Sequence, residues 1–321
     1  MTSRRSFLTT LGMGMVAASP VLAQAPQRRR SLFDFVFNQP ETVQPEVRPN
    51  PSTWSNETIT AAWIGHATVL INFFGTMIIT DPVFSNRIGI RLLRMFTLGP
   101  RRLVAPALSI QELPKIDLIL LSHVHMDHCD LPSLKRFDPS IPIVMAKNTS
   151  NVIDHLYRKR ITEVDWDESI TIGDLTIEGL RVKHFGWRFP WESDRSRGDW
   201  NGRSFNAYRI SKNGRNIVFG GDTAYQEFFK SLAERNIPID LVILPIGAYD
   251  PWIAVHANPE QAVAMANHMK AKTILPVHWN TFILSSEPQH EPIERLKAAL
   301  QQHSPALALD AIGQTWKLGS T

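Results

Sequence analysis

The segment His123-Val124-His125-Met126-Asp127-His128 places three imidazoles and a carboxylate within six residues. Such a set cannot be buried without compensating positive charge. A divalent metal ion supplies that charge, because neutral imidazole nitrogens and carboxylate oxygens are the ligands that zinc and its neighbours accept. The apolar run Ile116 to Leu121 just upstream reads as a buried strand, so the histidines stand where a strand runs out into a loop. A surface histidine patch is the alternative reading, and the strand-exit position argues against it.

Further candidates emerge once the surrounding elements are read. Ile59 to Trp63, Val69 to Phe74 and Met77 to Thr80 are β-prone runs, the last two joined through Gly75 as a turn. Ser204 to Ile210 and Arg215 to Phe219 flank Asn213-Gly214, a hairpin signal because both residues tolerate positive φ. Leu241 to Leu244 and Thr273 to Leu275 read as buried strands. A helix is expected from Pro259 to Lys270, with Asn258 as N-cap and Gln261 in the capping-box position. His184 follows the run Leu175 to Val182, Asp222 the strand ending at Phe219, and His278 the strand ending at Leu275. Strand exits in layered α/β folds converge on one edge, where ligands bind. Taken singly, His184 and His278 could equally be core histidines, whereas Asp222 sits among small residues, Gly220-Gly221-Asp222-Thr223.

The termini and composition narrow the setting. Ser3-Arg4-Arg5-Ser6-Phe7-Leu8, the short apolar stretch Leu11 to Ala18 and Val21-Leu22-Ala23 read as a twin-arginine export signal over residues 1–25, cleaved near Ala23. The expected destination is periplasmic, and the expected first partner is the twin-arginine export machinery, which carries folded proteins. Removing residues 1–23 lowers the net charge from +4 to +2, too little basic excess for a nucleic-acid binder. Residues 26–57, rich in Pro and Arg, read as an extended arm in which Leu32 to Phe37 is apolar enough to dock on the fold. Residues 58–321 form the expected catalytic domain. The single cysteine, Cys129, permits no internal disulfide and reads as a small buried residue rather than a ligand.

The histidine segment, with Trp63-Ile64-Gly65-His66-Ala67-Thr68, Thr80-Asp81-Pro82, Phe219-Gly220-Gly221-Asp222-Thr223, Pro245-Ile246-Gly247-Ala248-Tyr249 and His278-Trp279-Asn280-Thr281-Phe282, resembles the metallo-β-lactamase-fold hydrolases. More narrowly, it resembles the branch containing the N-acyl-phosphatidylethanolamine-hydrolysing phospholipase D and its bacterial relatives, over roughly residues 58 to 300. The resemblance implies a four-layer αβ/βα sandwich. It also implies that His123, His125 and His184 hold one metal ion, that Asp127, His128 and His278 hold a second, and that Asp222 bridges them. Seven candidates exceed what one ion uses, since a catalytic zinc keeps about three protein ligands and one open position. Two ions ~3.5–4 Å apart can hold a hydroxide between them, lower its pKa and stabilise a leaving oxygen. Zinc is the default, with manganese or iron compatible. By resemblance, the antibiotic-hydrolysing branch lacks the bridging aspartate, which sets β-lactams aside.

Around this set, Asp81 is a candidate to accept a ligand's second N–H, or it only shapes the turn before Pro82. His66 and His256 match positions near the active site. His256 is the better candidate for touching substrate or moving a proton; otherwise it caps the following helix. The loop His184 to Arg203 offers Trp187, Arg188, Trp200 and Arg203 for an acyl chain and a phosphate. From Arg87 to Val104 there are five arginines and no acid, with Arg87, Arg91 and Arg94 at helical spacing, so a basic amphipathic helix is expected there. Such a helix either packs on the core or touches a membrane surface. Only 55 residues separate Asp222 from His278, too few for the inserted domain of the nucleic-acid-processing relatives. The expected activity is a dinuclear phosphodiesterase of phospholipase D type acting on N-acyl-phosphatidylethanolamine-like lipids. Competing readings are a hydrolase of a soluble lactone or of a cyclic or sugar phosphodiester, and a periplasmic metal-binding protein without catalysis.

Overall fold

The computed structural model describes residues 40–92, 96–157, 160–301 and 305–319. The export signal, the docking segment Leu32 to Phe37 and Arg94 lie outside the described residues.

The chain opens with three antiparallel strands, β1 (Ile59–Gly65), β2 (Thr68–Phe73) and β3 (Thr76–Thr80). Phe74 and Gly75 turn the second hairpin with φ of 50° and 85°. A small ribbon follows, β4 (Ile90–Leu92) paired with β5 (Phe96–Leu98). The parallel strands β6 (Leu118–Leu121), β7 (Ile143–Ala146) and β8 (Ile161–Val164) then extend the first sheet. A second seven-stranded sheet takes β9 (Ser169–Ile172), β10 (Leu175–Leu180), β11 (Ala207–Lys212), β12 (Arg215–Phe219), β13 (Leu241–Pro245), β14 (Thr273–Val277) and β15 (Ala306–Leu307) in spatial order. Finally β16 (Thr315–Lys317) returns to the free edge of β1.

The sheets face each other across one continuous apolar core. Polar ties cross the interface: Tyr208 Oη donates to Leu121 O at 3.0 Å, and the Asn206 amide to Ser122 O at 3.0 Å. Helices Pro259–His268 and Glu291–Leu300 pack on the second sheet, and the short Leu131–Leu134 and Asp154–Tyr157 connect β6 to β7 and β7 to β8. The expected capping box is present: Asn258 accepts from the Gln261 amide at 2.9 Å, and Gln261 from the Asn258 amide at 3.1 Å. The fold is a layered α/β sandwich of two facing sheets, the architecture that the resemblance implies.

The expected helix is absent from the described parts of the stretch, 87–92 and 96–104, which form the β4–β5 ribbon and its flanks. Gly89 and Gly99 sit opposite each other at φ 130° and 151°, and a Cβ on either would lie within about 2.2 Å of the facing carbonyl oxygen. Glycine there permits a close antiparallel crossing that the arginine spacing does not reveal. Arg87 Nη1 donates to Gly99 O at 2.9 Å, and Arg102 is wholly buried, donating to Val83 O and Ser85 O at 2.6 and 3.1 Å. The arm runs alongside, with Val43 bridged to Val104 and Thr42 Oγ1 donating to Arg102 O at 2.6 Å. Among the described residues no helix is long and apolar enough to cross a membrane.

Candidate metal centre

Every candidate ligand hangs from a strand end at one edge of the sandwich. His123 to His128 follow β6, His184 follows β10, Asp222 follows β12, and His278 follows β14 directly. His66 occupies the turn between β1 and β2. His66, Asp81 and His278 all take left-handed backbone conformations, with φ of 54°, 32° and 65°. Such strain persists only where surrounding structure enforces it. Here the His278 amide donates to His66 O at 3.1 Å, and the His66 amide to Thr281 Oγ1 at 2.8 Å.

One half of the site is made of imidazoles. His125 Nδ1 lies 2.8 Å from His123 Nε2 and 3.2 Å from His184 Nε2. Ring lone pairs at this spacing repel unless a positive centre lies between them, and one proton can satisfy only one such pair. The opposite nitrogens are engaged, His184 Nδ1 with Val255 O at 2.9 Å and His123 Nδ1 with Ser122 Oγ at 2.9 Å. Both Nε2 atoms are therefore left to point inward. Burial holds His123 and His184 well below the usual imidazole range and His125 down at about 4. Three neutral imidazoles, His123 and His184 buried and His125 half-buried, are a donor set for a divalent ion.

Carboxylates dominate the other half. Asp127 Oδ2 lies 3.1 Å from His66 Nε2, 3.3 Å from His278 Nε2 and 3.5 Å from His128 Nε2. Asp222 Oδ2 reaches both halves, 3.0 Å from His128 Nε2, 3.2 Å from His278 Nε2 and 3.9 Å from His184 Nε2. Burial opposes charge on His128 and His278, but the aspartates outweigh it. His128 is held well above its usual range, and His278 is pushed up to about 9. Burial would likewise raise Asp127 and Asp222, yet the His128 charge prevails and holds both well below the ordinary carboxylate range.

The donor set fits metal ions. His125 Nε2 and Asp222 Oδ1 are buried without a hydrogen-bond partner, which is costly unless something else satisfies them. The His/Asp groups include His123–His125–His184 and His66–Asp127–His128–His278, overlapped by His184–Asp222–His256 and Asp81–His123–His128, each with its donor atoms within 4.8 Å of one another. His66, read from sequence as a neighbour of the site, stands inside the second group.

Asp81 binds His128 Nδ1 at 2.6 Å, the Ser122 amide at 2.8 Å and Ser122 Oγ at 2.5 Å, and it also shapes the turn before Pro82. His256 Nε2 lies 3.3 Å from Asp222 Oδ2, with its side chain 13 % exposed at the rim. The helix that follows is capped by Asn258 instead. In the loop 185–203, Trp187 meets the His125 ring edge-on at 6.1 Å. Arg188 is engaged inward, Nη1 donating to Val124 O and Cys129 O at 2.7 and 2.9 Å, and Arg203 pairs with Glu192 at 2.8 Å. Trp200 is exposed beside Arg195, away from the histidines. Cys129 is buried in the apolar core, which pushes its thiol up to about 11.

Sequence reasoning missed Ser122 and Asp194. Ser122 could have been noticed as the residue between strand and first histidine. Asp194, wholly buried, accepts from the amides of Gly186, Trp187 and Ser196, and no spacing pattern announces it.

A beta-lactamase superfamily domain profile matches residues 76–279, more than half of the chain. The chain belongs to that superfamily. It is a metal-dependent hydrolase of the metallo-β-lactamase fold. An uncharacterized protein of Mycobacterium tuberculosis is 31% identical to this hydrolase over 289 residues, 86% of this chain and 73% of that one. The N-acyl-phosphatidylethanolamine-hydrolyzing phospholipase D 1 of Caenorhabditis elegans is 31% identical over 252 residues, 74% of this chain and 68% of the relative. Among solved structures, an isothiocyanate hydrolase from Delia radicum gut bacteria superposes with a TM-score of 0.62 at 19% identity, covering 80% of this chain and 97% of that one, and shares the fold.

Proposed function

We propose that this hydrolase is a dinuclear phosphodiesterase of phospholipase D type, acting on N-acyl-phosphatidylethanolamine-like lipids after twin-arginine export to the periplasm. The observation that carries the reading is Asp222, whose carboxylate stands between an all-imidazole group and a carboxylate-rich group. In this reading His123, His125 and His184 would hold one divalent ion, Asp127, His128 and His278 would hold the other, and Asp222 stands where it could serve both. Two such ions, zinc by default, would supply an activated water and neutralise charge developing on a phosphodiester. The water oxygen bonds to phosphorus as the bond to the N-acylethanolamine oxygen breaks. His256, partly exposed and 3.3 Å from Asp222, is placed to hand a proton to that leaving oxygen. Trp187 offers an apolar wall beside His125. Identity of 31% to a relative named for this substrate class supports the lipid assignment.

Lipid access would come across the β4–β5 ribbon, whose cross-strand pair Ile90 and Leu98 is 49% and 41% exposed. The stretch 87–104 around it carries no acid. Its base is tied by the Arg102–Phe282 bridge to the loop after His278.

The test compares N-acyl-phosphatidylethanolamine vesicles with a soluble chromogenic phosphodiester, each with and without chelator. Chelator-sensitive turnover that is much faster on vesicles is expected. Turnover of the soluble ester alone would keep the metal centre and discard the lipid. Full activity in a folded Asp222→Asn protein would refute the mechanism.

A further inference from the structure

One hydroxyl joins the two halves of the site. Ser122 is wholly buried between the last residue of β6 and His123. Its Oγ lies 2.5 Å from Asp81 Oδ2 and 2.9 Å from His123 Nδ1. A carboxylate oxygen accepts, so the hydroxyl donates to Asp81 and turns its lone pairs toward His123. His123 must then carry its proton on Nδ1, which leaves Nε2 bare toward His125 and His184. The same Asp81 oxygen takes the Nδ1 proton of His128 at 2.6 Å, so the nitrogen His128 can free for a metal ion is Nε2, which faces Asp222 at 3.0 Å. One carboxylate thus sets the tautomers of two histidines that belong to different groups, one directly and one through Ser122.

The surroundings are built for this hydroxyl. The backbone of Gly221, at φ +56°, passes so close that a Cβ there would lie 2.6 Å from Ser122 Cβ and 3.1 Å from its Oγ. The Ser122 amide and carbonyl are also tied, to Asp81 Oδ1 at 2.8 Å and to the Asn206 amide at 3.0 Å, which fixes the backbone that carries the side chain.

We propose that Ser122 is a positioning residue that extends the Asp81 carboxylate to His123, so that affinity at the imidazole position depends on a group bonded directly to the other position. The inference rests on the metal-centre reading above. Partners of this kind are worth about 10–100-fold in metal affinity.

The experiment titrates metal-stripped protein with Zn2+ against a chromogenic chelator. The parent should take two equivalents. Ser122→Ala should weaken one binding step by about tenfold and spare the other. Asp81→Asn should weaken both, and adding Ser122→Ala to it should cost nothing further at the imidazole step, because the relay is already cut. Equal loss at both steps in Ser122→Ala, unchanged affinity at both, or full additivity would each overturn the proposal. Nitrogen-15 NMR of the histidine rings in the unmutated protein tests it without reliance on a variant that folds. The Nδ1–H tautomer is expected for His123, and the Nε2–H tautomer would refute the relay. If the parent protein binds no Zn2+, the metal-centre reading itself fails, which is distinct from any of these outcomes.

Discussion

Asp194 offers a severe test of how the loop over the metal centre is held. Its carboxylate is wholly buried, and it accepts from three backbone amides, those of Gly186, Trp187 at 2.6 Å and Ser196 at 2.6 Å. Hydrogen bonds to charged groups are worth roughly 1.5–3 kcal/mol each, so replacing Asp194 with alanine forfeits about 5 kcal/mol or more of local stabilisation. The chain need not lose all of it globally, because the loop can swing out and give its amides to water. The expected division is a global loss of ~1–3 kcal/mol with the remainder appearing as local opening. Amide hydrogen exchange reads this directly. Gly186, Trp187 and Ser196 should exchange at least about a hundredfold faster, the equivalent of ~2.7 kcal/mol, while core strands such as β6 and β13 change only by the global loss. KM should rise more than kcat falls, since Trp187 beside His125 would lose its fixed position while the histidines keep theirs. Asp194→Asn, which retains one acceptor oxygen, should fall between. Unaltered exchange at the three amides in Asp194→Ala would show that other ties hold the loop and would refute the argument.

Three further outcomes are expected. Gly247→Ala puts a Cβ 2.4 Å from His278 O, so it should destabilise by ~1–3 kcal/mol and weaken Zn2+ binding together, as read by urea midpoint and chelator competition; loss of stability with intact metal affinity would contradict it. Replacing Ile90 and Leu98 with serine should lower vesicle binding and vesicle turnover severalfold while leaving soluble phosphodiester hydrolysis unchanged, and an equal fall in both activities would argue against the ribbon as an access surface. In metal-stripped protein the buried histidines pull stability in opposite directions. His66, His123, His125 and His184 are held below 6.5, so on acidification the unfolded chain takes up protons that the folded chain refuses, and stability falls toward pH 4. His128 and His278 are held above 6.5, so on alkalinisation the unfolded chain sheds protons that the folded chain keeps, and stability falls toward pH 9. Urea midpoints should therefore peak near pH 6.5, and Zn2+ should abolish the alkaline decline; a steady rise from about pH 5 to 8.5 without metal would contradict this.

The frame of the site was legible because its elements are punctuated in the sequence. Asn213-Gly214 forces a hairpin, Asn258-Pro259 starts a helix, and a long apolar run precedes His123. Where several local signals compete, pattern alone misleads. Arginines at helical spacing between 87 and 94 suggested a helix, whereas Gly89 and Gly99 decide the matter by permitting two backbones to touch. Strand β7 is a four-residue apolar run with no period to read. Strand β16 has three residues and owes its existence to pairing with β1. The arginines at 188 and 203 illustrate a different limit. Residue type advertises an anion partner, but only the fold reveals that the partners are carbonyls of the histidine loop and the carboxylate of Glu192.

The split origin of the donor atoms has a mechanical consequence. His66 and residues 123–128 are rooted in one slab of the sandwich, while His184, Asp222 and His278 are rooted in the other. Ions gripped between them would act as rivets driven through both slabs at one rim, beside the hydrogen bonds from His278 to His66 and from Asn206 to Ser122 that already cross it. Withdrawing the rivets would leave each slab internally sound, with only those few hydrogen bonds to keep the open end from splaying. Resistance to proteases and to pulling forces would then be a property of the loaded molecule, set by the supply of metal as much as by the chain.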